Sequence, residues 1–280
     1  MLAVSCSDRK VEDFLNEEEF SWLQEHKGSI VVAPENNFPP FAYIDEQGFF
    51  KGISADYLEV IENKLGIKFL IAPPFHLSRS LQLLKDGEID LITSLSKTDE
   101  RSSYLLFSDS YIKVPAVILT KDTIYDDLSL EDLKGWSIGL GKDYAIHEYL
   151  QKNYPYLNLK PEIDDLICLE KLAIGNIDAV ITDIASASWF ISENSLIHLS
   201  LAGQTDFKYE LCMAAPKENA MLIDIIDKTL NNLSKSEIKV IDEKWIKEIN
   251  PPNVFNKQIY ILFPVLLLLV VLVIIRLYKS

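Results

Sequence analysis

Short runs of apolar residues alternate along the chain with stretches of helical spacing. Residues 29–34 (SIVVAP) read as a strand. In 54–65 the apolar positions Leu58, Ile61 and Leu65 recur at three and four residues, which predicts an amphipathic helix capped by Ser54 and stopped at Gly66. Residues 67–71 form a second strand signal, 78–86 a helix ending before Gly87, and 89–93 a third strand. Strands alternating with helices predict a parallel, doubly wound sheet. The same rhythm returns with strands at 136–140, 158–161 and 179–182 and helices at 144–153 and 184–191. A strand-like alternation at 206–215 and two amphipathic helices at 220–233 and 236–249 follow.

The two stretches share a pattern. Leu81, Leu84, Gly87, Ile89 and Asp90 match Leu169, Leu172, Gly175, Ile177 and Asp178 at a constant offset of 88 residues. Each copy reads as a helix, a glycine stop, a turn and an apolar strand. Two similar α/β lobes are therefore expected. Extended segments near 111–115 and 206–211 would carry the chain into the second lobe and back.

The hydrophobic pattern changes once more at the end. Residues 259–275 carry no charge, and about 1.5 Å per residue makes them roughly long enough to cross a hydrocarbon core. Tyr260 and Tyr278 sit where interfacial aromatics are expected, and Pro251-Pro252 reads as a stiff spacer before the span. Charge agrees with this division. The chain of 280 residues has a formal net charge of −15, but residues 251–280 hold Lys257, Arg276 and Lys279 with no acid, which leaves −18 on residues 1–250. Arg276 and Lys279 just after the span place the short tail in the cytoplasm and the acidic body outside. The start, MLAVSCSDRK, lacks the apolar stretch of an export signal; LAVSC only loosely resembles a lipoprotein signal ending at Cys6, and an unstructured lead-in is the better reading.

The acidic body excludes a nucleic-acid-binding surface. Cys6, Cys168 and Cys212 form neither a disulfide scaffold nor a zinc site, and the four histidines form no ligand set. Gly139-Leu140-Gly141-Lys142-Asp143-Tyr144 follows a strand and opens a helix, but Tyr144 replaces the small residue a dinucleotide loop needs. No nucleophile–base arrangement stands out.

Open α/β sheets bind ligands at the carboxyl ends of their strands. The strand at 89–93 runs into Ser94, Ser96, Thr98 and Arg101, and Arg101 is one of only four arginines. Its fork suits a carboxylate; capping by Thr98 and a surface ion pair for Arg101 is the competing reading. The matching strand of the second lobe ends at Asp183, which suits a ligand ammonium, a helix cap, or both. Residues 35–43 crowd Glu35, Phe38, Phe41 and Tyr43 around Pro39-Pro40; Phe38 is the candidate ligand wall, while Phe41 and Tyr43 read as core.

Together FPPFAYIDEQGFFKGISADYLEVIENKLGIKF, GEIDLITSLSKTDERSSYLLFSDSYI, GKDYAIHEYLQKNYP, GNIDAVITDIASASWFI and a closing helix ending EKWI resemble the family 3 solute-binding proteins. These are periplasmic amino-acid-binding, type II Venus-flytrap proteins, and the likeness runs from about Glu17 to Ile249. YAIHEYL and the lead-in 16–26 look closest to the sensor domains of membrane histidine kinases and related receptors. The resemblance implies an α/β fold with a discontinuous lobe 1 (28–113 and 207–249) and a lobe 2 (114–206), beside the lead-in (1–27), the linker (250–258) and the one transmembrane helix (259–278) read from the hydrophobic pattern. It implies that Arg101, helped by Ser96, holds a ligand carboxylate and that Ser94 offers a backbone contact. Asp183 would take the ammonium, Phe38 would stack on the ligand, Glu35 would border the pocket, and Tyr144 would close over it. Leu77 stands where an aromatic is frequent. The expected function is a membrane-anchored binding domain, not an enzyme, closing on a small zwitterion such as an amino acid. It would serve an importer permease or a signalling partner, with no cofactor or metal. The alternatives are a dehydratase on the same fold, for which Glu35 is the candidate acid, or a fragment of a larger sensor kinase or cyclase.

Overall fold

The computed structural model describes residues 11, 14–121, 125–196 and 198–249, with the backbone alone for 246–249. The expected span at 259–278 and its linker lie outside them; among the described residues no helix is long and apolar enough to cross a membrane. The chain begins with α1 (Glu17–Glu25) and continues through β1 (Val31–Ala33), β2 (Asn37–Phe38), β3 (Ala42–Ile44), β4 (Phe50–Lys51) and α2 (Ile53–Leu65). Next come β5 (Leu70–Ile71), α3 (Leu77–Lys85), β6 (Leu91–Ser96), α4 (Asp99–Ser102), β7 (Leu105–Phe107) and β8 (Ile112–Lys121). The second half holds β9 (Ser137–Gly141), α5 (Ala145–Asn153), β10 (Asn158–Glu162), α6 (Asp165–Ala173), β11 (Ala179–Asp183) and α7 (Ile184–Glu193). The long β12 (Leu199–Pro216) returns the chain to α8 (Ala220–Asn231) and α9 (Lys235–Ile249).

The main sheet runs β10-β9-β11-β8-β12-β6-β1-β5, with β7 beside β12. Each end is parallel, as the alternation of strand and helix predicts: β5-β1-β6 on one side and β10-β9-β11 on the other. The centre departs from that expectation. β8 and β12 run antiparallel to each other and to the strands beside them, because one carries the chain out and the other carries it back. Their pairing is regular from Leu199↔Lys121 to Leu201↔Leu119 and again from Lys208↔Pro115 to Leu211↔Ile112, with register shifts between Leu201 and Gly203 and between Gln204 and Lys208. Pro115 has no N–H to give a ladder and sits at the second of these. The two extended segments expected to join the lobes are thus one paired ribbon with two register shifts in it.

The internal match is structural. Gly87 and Gly175 both turn at positive φ, +72° and +79°. In both copies the aspartate then ties the turn to a neighbouring strand. Asp90 Oδ2 accepts from the Val31 amide at 2.8 Å, and Asp178 Oδ2 accepts from the Ser137 amide at 2.7 Å. A Leu-x-x-Leu-x-x-Gly-x-Ile-Asp stretch therefore encodes the same helix–turn–strand unit twice, with Leu84 and Leu172 fully buried under the sheet.

Helix α2 begins differently from the sequence reading. Ser54 is not its cap: Gly52 is the N-cap residue, and Ser54 lies inside the first turn, buried, bonded to Ser94 and to the Tyr111 hydroxyl. The helix opens against the loop after β2, where Ile53 N donates to Pro40 O (3.0 Å) and Ser54 N to Phe41 O (2.9 Å). These carbonyls satisfy amides that a helix start leaves unpaired. Gly52 permits the approach, since it sits at φ +110° and a Cβ there would lie 2.4 Å from the Phe41 carbonyl oxygen. Gly66 ends the helix in the left-handed region, as expected.

At the other end α9 packs on α2 and α7. Lys244 Nζ and Trp245 Nε1 both donate to Asp56, at 2.8 and 2.6 Å, while the Trp245 ring lies 6.5 Å from that of Trp189. The last described helix is therefore fixed to one half of the molecule and touches the other.

Gly52→Ala is expected to lower stability by about 2 kcal/mol or more, because both the dihedral and the close carbonyl must change. The check is urea unfolding, where the midpoint should fall at unchanged slope; a wild-type midpoint would refute this account of the helix start.

Candidate functional site

The carboxyl ends of β1 and β6 face the amino ends of α5 and α7 across a cleft. Strand β6 is buried throughout and delivers Ser94 and Ser96 to its rim. Thr98 caps the short α4 by accepting from Arg101 N at 3.2 Å, so the capping reading holds. The surface ion pair does not hold, because Arg101 is only 2% exposed. The cap turns the arginine inward instead. Its Nη1 donates to the Ser96 carbonyl at 2.7 Å, its Nη2 donates to the Asp143 carbonyl, and Glu148 Oε1 lies 3.1 Å from Nη2. Burial works against the guanidinium charge, and Glu148 offsets that most strongly.

Six of the seven residues singled out in the sequence line one cavity: Glu35, Phe38, Ser94, Ser96, Arg101 and Tyr144. Its volume is about 20 Å³, room for about one water molecule. Tyr144 fills much of the remainder. It caps α5, its ring lies on Gly141, where a Cβ would meet it at 2.6 Å, and its hydroxyl donates to Glu35 Oε1 at 2.6 Å. Phe38 is buried between Phe41 and Tyr144, with ring centroids 4.9 and 5.7 Å away. Ser96 Oγ is buried without a partner, and Leu77 lines the pocket.

Two of the seven residues carry bonds within the protein. The Ser94 amide donates to the Tyr111 hydroxyl at 3.1 Å; Ser94 sits at φ +57° and its side chain meets Ser54. Asp183 is not among the lining residues. It is fully buried and caps α7, with Oδ1 accepting from Ser186 N at 2.8 Å and Oδ2 without a partner. Helix capping and a second, unused oxygen thus coexist on this side chain.

Several residues at the cleft were not singled out in the sequence. Glu148, the counter-charge of Arg101, stands three residues into an ordinary amphipathic helix. Tyr209 and Leu211 enter the lining from β12. Asp164 and Asp165 open α6: Asp164 Oδ2 accepts from Asn37 Nδ2 at 3.0 Å across the cleft, and Asp165 Oδ2 accepts from Thr182 at 2.7 Å. No motif marks them; a pair of acids before an apolar helix is also an ordinary capping signal.

The cleft is rich in buried acids. Burial pushes Glu35 up to about 7, opposed by its bond from Tyr144 and by Arg101. Asp183 is pushed up to about 6 by burial, against the amides of the α7 start. Asp165 rises well above the usual carboxylate range for the same reason. Such a site favours a ligand that brings positive charge to the acids and exchanges it for their protons.

A carboxyl whose folded value lies above its unfolded one binds more protons in the native state. Stability then falls as pH rises through that window and levels off above it. Glu35 makes that window run from about 4.5 to about 7. Glu35→Gln is expected to shrink the loss of stability between those pH values by on the order of 3 kcal/mol at most. Urea titrations at several pH values read this directly; an identical pH slope in the variant would show that Glu35 titrates normally.

Residues 30–248 match the bacterial extracellular solute-binding proteins, family 3. The sensor protein EvgS of Escherichia coli is 27% identical over 264 residues, 91% of this chain but 22% of EvgS, so the chain spans about a fifth of that relative's length. The L-cystine-binding protein TcyJ of Escherichia coli is 24% identical over 248 residues, 88% of this chain and 92% of TcyJ. Among solved structures, the periplasmic VFT2 domain of Bordetella pertussis BvgS superposes with a TM-score of 0.73 at 27% identity, covering 81% of this chain and 97% of that domain. The matched residues include both sheet halves and the cleft between them, and the chain belongs to the family 3 bacterial extracellular solute-binding proteins.

Proposed function

We propose that this domain closes around a small zwitterionic solute, an amino acid or a close analogue, and that it works outside the cytoplasm, tethered to a membrane by the apolar segment 259–278. The observation that carries the reading is the cleft itself. The buried guanidinium of Arg101 and the buried carboxyl of Glu35 line one small cavity, and the buried carboxyl of Asp183 stands at the start of α7 in the other half. A zwitterion supplies a partner for each. Arg101 takes the carboxylate by its bidentate fork, with the unpartnered Ser96 Oγ beside it. Asp183, whose second oxygen is unused, takes the ammonium with Glu35 nearby. Phe38 and Leu77 form the apolar wall for the side chain. The likeness to an L-cystine-binding protein supports this ligand class.

Sensing is the favoured use. The support is mechanical: α9 is held to one half through Asp56 and meets the other at Trp189, so lobe movement is felt by the helix that leads to residue 250. A ligand that binds the closed arrangement better shifts the population toward it. The match to EvgS points the same way. Delivery to an importer permease is the other use of such a domain, and it needs no contact between α9 and the second half.

A thermal-shift screen of the amino acids is expected to give at least one stabilising ligand. With that ligand, Arg101→Ala should weaken binding roughly 10- to 150-fold, the equivalent of about 1.5–3 kcal/mol for a lost charge-assisted contact. Calorimetry showing unchanged affinity would refute the role of Arg101.

A further inference from the structure

Arg101 is already engaged by the half of the molecule opposite to its own. Nη1 is bonded within its own half, to Ser96 O at 2.7 Å, while Nη2 meets both the Asp143 carbonyl and Glu148 Oε1 across the cleft. Only Nε has no partner, and it is buried. Asp143 reaches the guanidinium from a left-handed turn, φ +61°, and Glu148 follows in the first turn of α5. Among the described residues, two ion pairs cross the cleft, Arg101–Glu148 and Lys152–Asp99. The second is exposed on both sides and contributes little. The first joins a cation 2% exposed to a carboxylate 24% exposed, so water screens it less.

A ligand carboxylate bound by the guanidinium fork needs two N–H groups. Glu148 holds one of them, and the cavity of about 20 Å³ has no room for a second carboxylate beside it.

We propose that the Glu148 carboxylate is a built-in stand-in for the ligand carboxylate. It draws the two lobes together by pairing with Arg101, and it competes with any carboxylate ligand for the same guanidinium. The competition rests on the reading of Arg101 as the anion-binding residue; the latch does not. Glu148 thereby sets two properties at once: how far the domain rests toward closure, and how strongly a ligand must bind to take over Arg101. A ligand that displaces it exchanges one closing ion pair for another, so occupancy is reported by a change in the approach of α5.

The test compares the wild type with Glu148→Gln and Glu148→Asp, with Asp99→Asn as the control that breaks only the exposed pair. Circular dichroism first checks folding; the Glu148 side chain is partly exposed and the glutamine is isosteric. Small-angle scattering without added amino acid should give a larger radius of gyration for Glu148→Gln, a smaller increase for Glu148→Asp, and none for Asp99→Asn. With a ligand from the screen, Glu148→Gln should bind about tenfold or more tightly than the wild type. Wild-type scattering from Glu148→Gln overturns the latch, and wild-type affinity overturns the competition. If Glu148→Gln opens but neither protein binds any amino acid, the latch stands and the zwitterion reading falls.

Discussion

The cleft is organised around the burial of one guanidinium. A desolvated cation is costly unless charge and hydrogen-bond acceptors surround it. Arg101 finds them in the Ser96 carbonyl from its own half and in the Asp143 carbonyl and Glu148 carboxylate from the other. Because two of the three come from across the cleft, the electrostatic satisfaction of this side chain and the distance between the halves are a single variable. Helix α4, only one turn long, exists to set that geometry: Thr98 caps it and the cap points Arg101 inward.

The acids show the opposite imbalance. Glu35, Asp165 and Asp183 are buried with fewer donors than their oxygens can use, and Asp165 Oδ1 and Asp183 Oδ2 have no partner. Burial therefore raises all three toward the protonated form. Tyr144 donates to Glu35 and so ties one acid to the second half as well. Asn37 to Asp164 and Ser186 Oγ to Pro39 O extend this seam. Closure is thus held by polar bonds around a small apolar patch of Phe38, Phe41 and Tyr144, a kind of contact that forms and breaks more readily than a packed core.

The ribbon that joins the halves is irregular at its middle. The β8–β12 ribbon shifts register between Leu201 and Gly203 and again between Gln204 and Lys208, and Thr205 Oγ1 fills part of the lost ladder by donating to Ala116 O. Helix α9 lies away from that ribbon but spans the same division through Asp56 and Trp189.

Periodicity and turn chemistry were enough to locate most elements and the repeated helix–turn–strand unit, because those depend on neighbours within about ten residues: leucines at helical spacing, a glycine where φ is positive, an aspartate beside the next strand. Six lining residues were legible for a similar reason. They sit in the loop after β1, on β2 and β6, on the short helix after β6 and at the start of α5, where an α/β sheet exposes side chains and where the likeness to family 3 attaches to specific letters. What the sequence left open depends on residues far apart in the chain. Glu148 looks like any surface glutamate of an amphipathic helix until the fold brings it to Arg101. Ser54 looks like a cap until α2 starts at Gly52 against the Phe41 carbonyl. Asp183 was read as a ligand partner or a cap, and only its burial depth separates the oxygen used by α7 from the one left over. The antiparallel centre of the sheet likewise follows from the chain having to return, which no local pattern records. Local spacing decided which elements form; the tertiary structure decided which charges meet, because a buried charge is governed by whatever lies within a few ångströms of it rather than by its sequence neighbours.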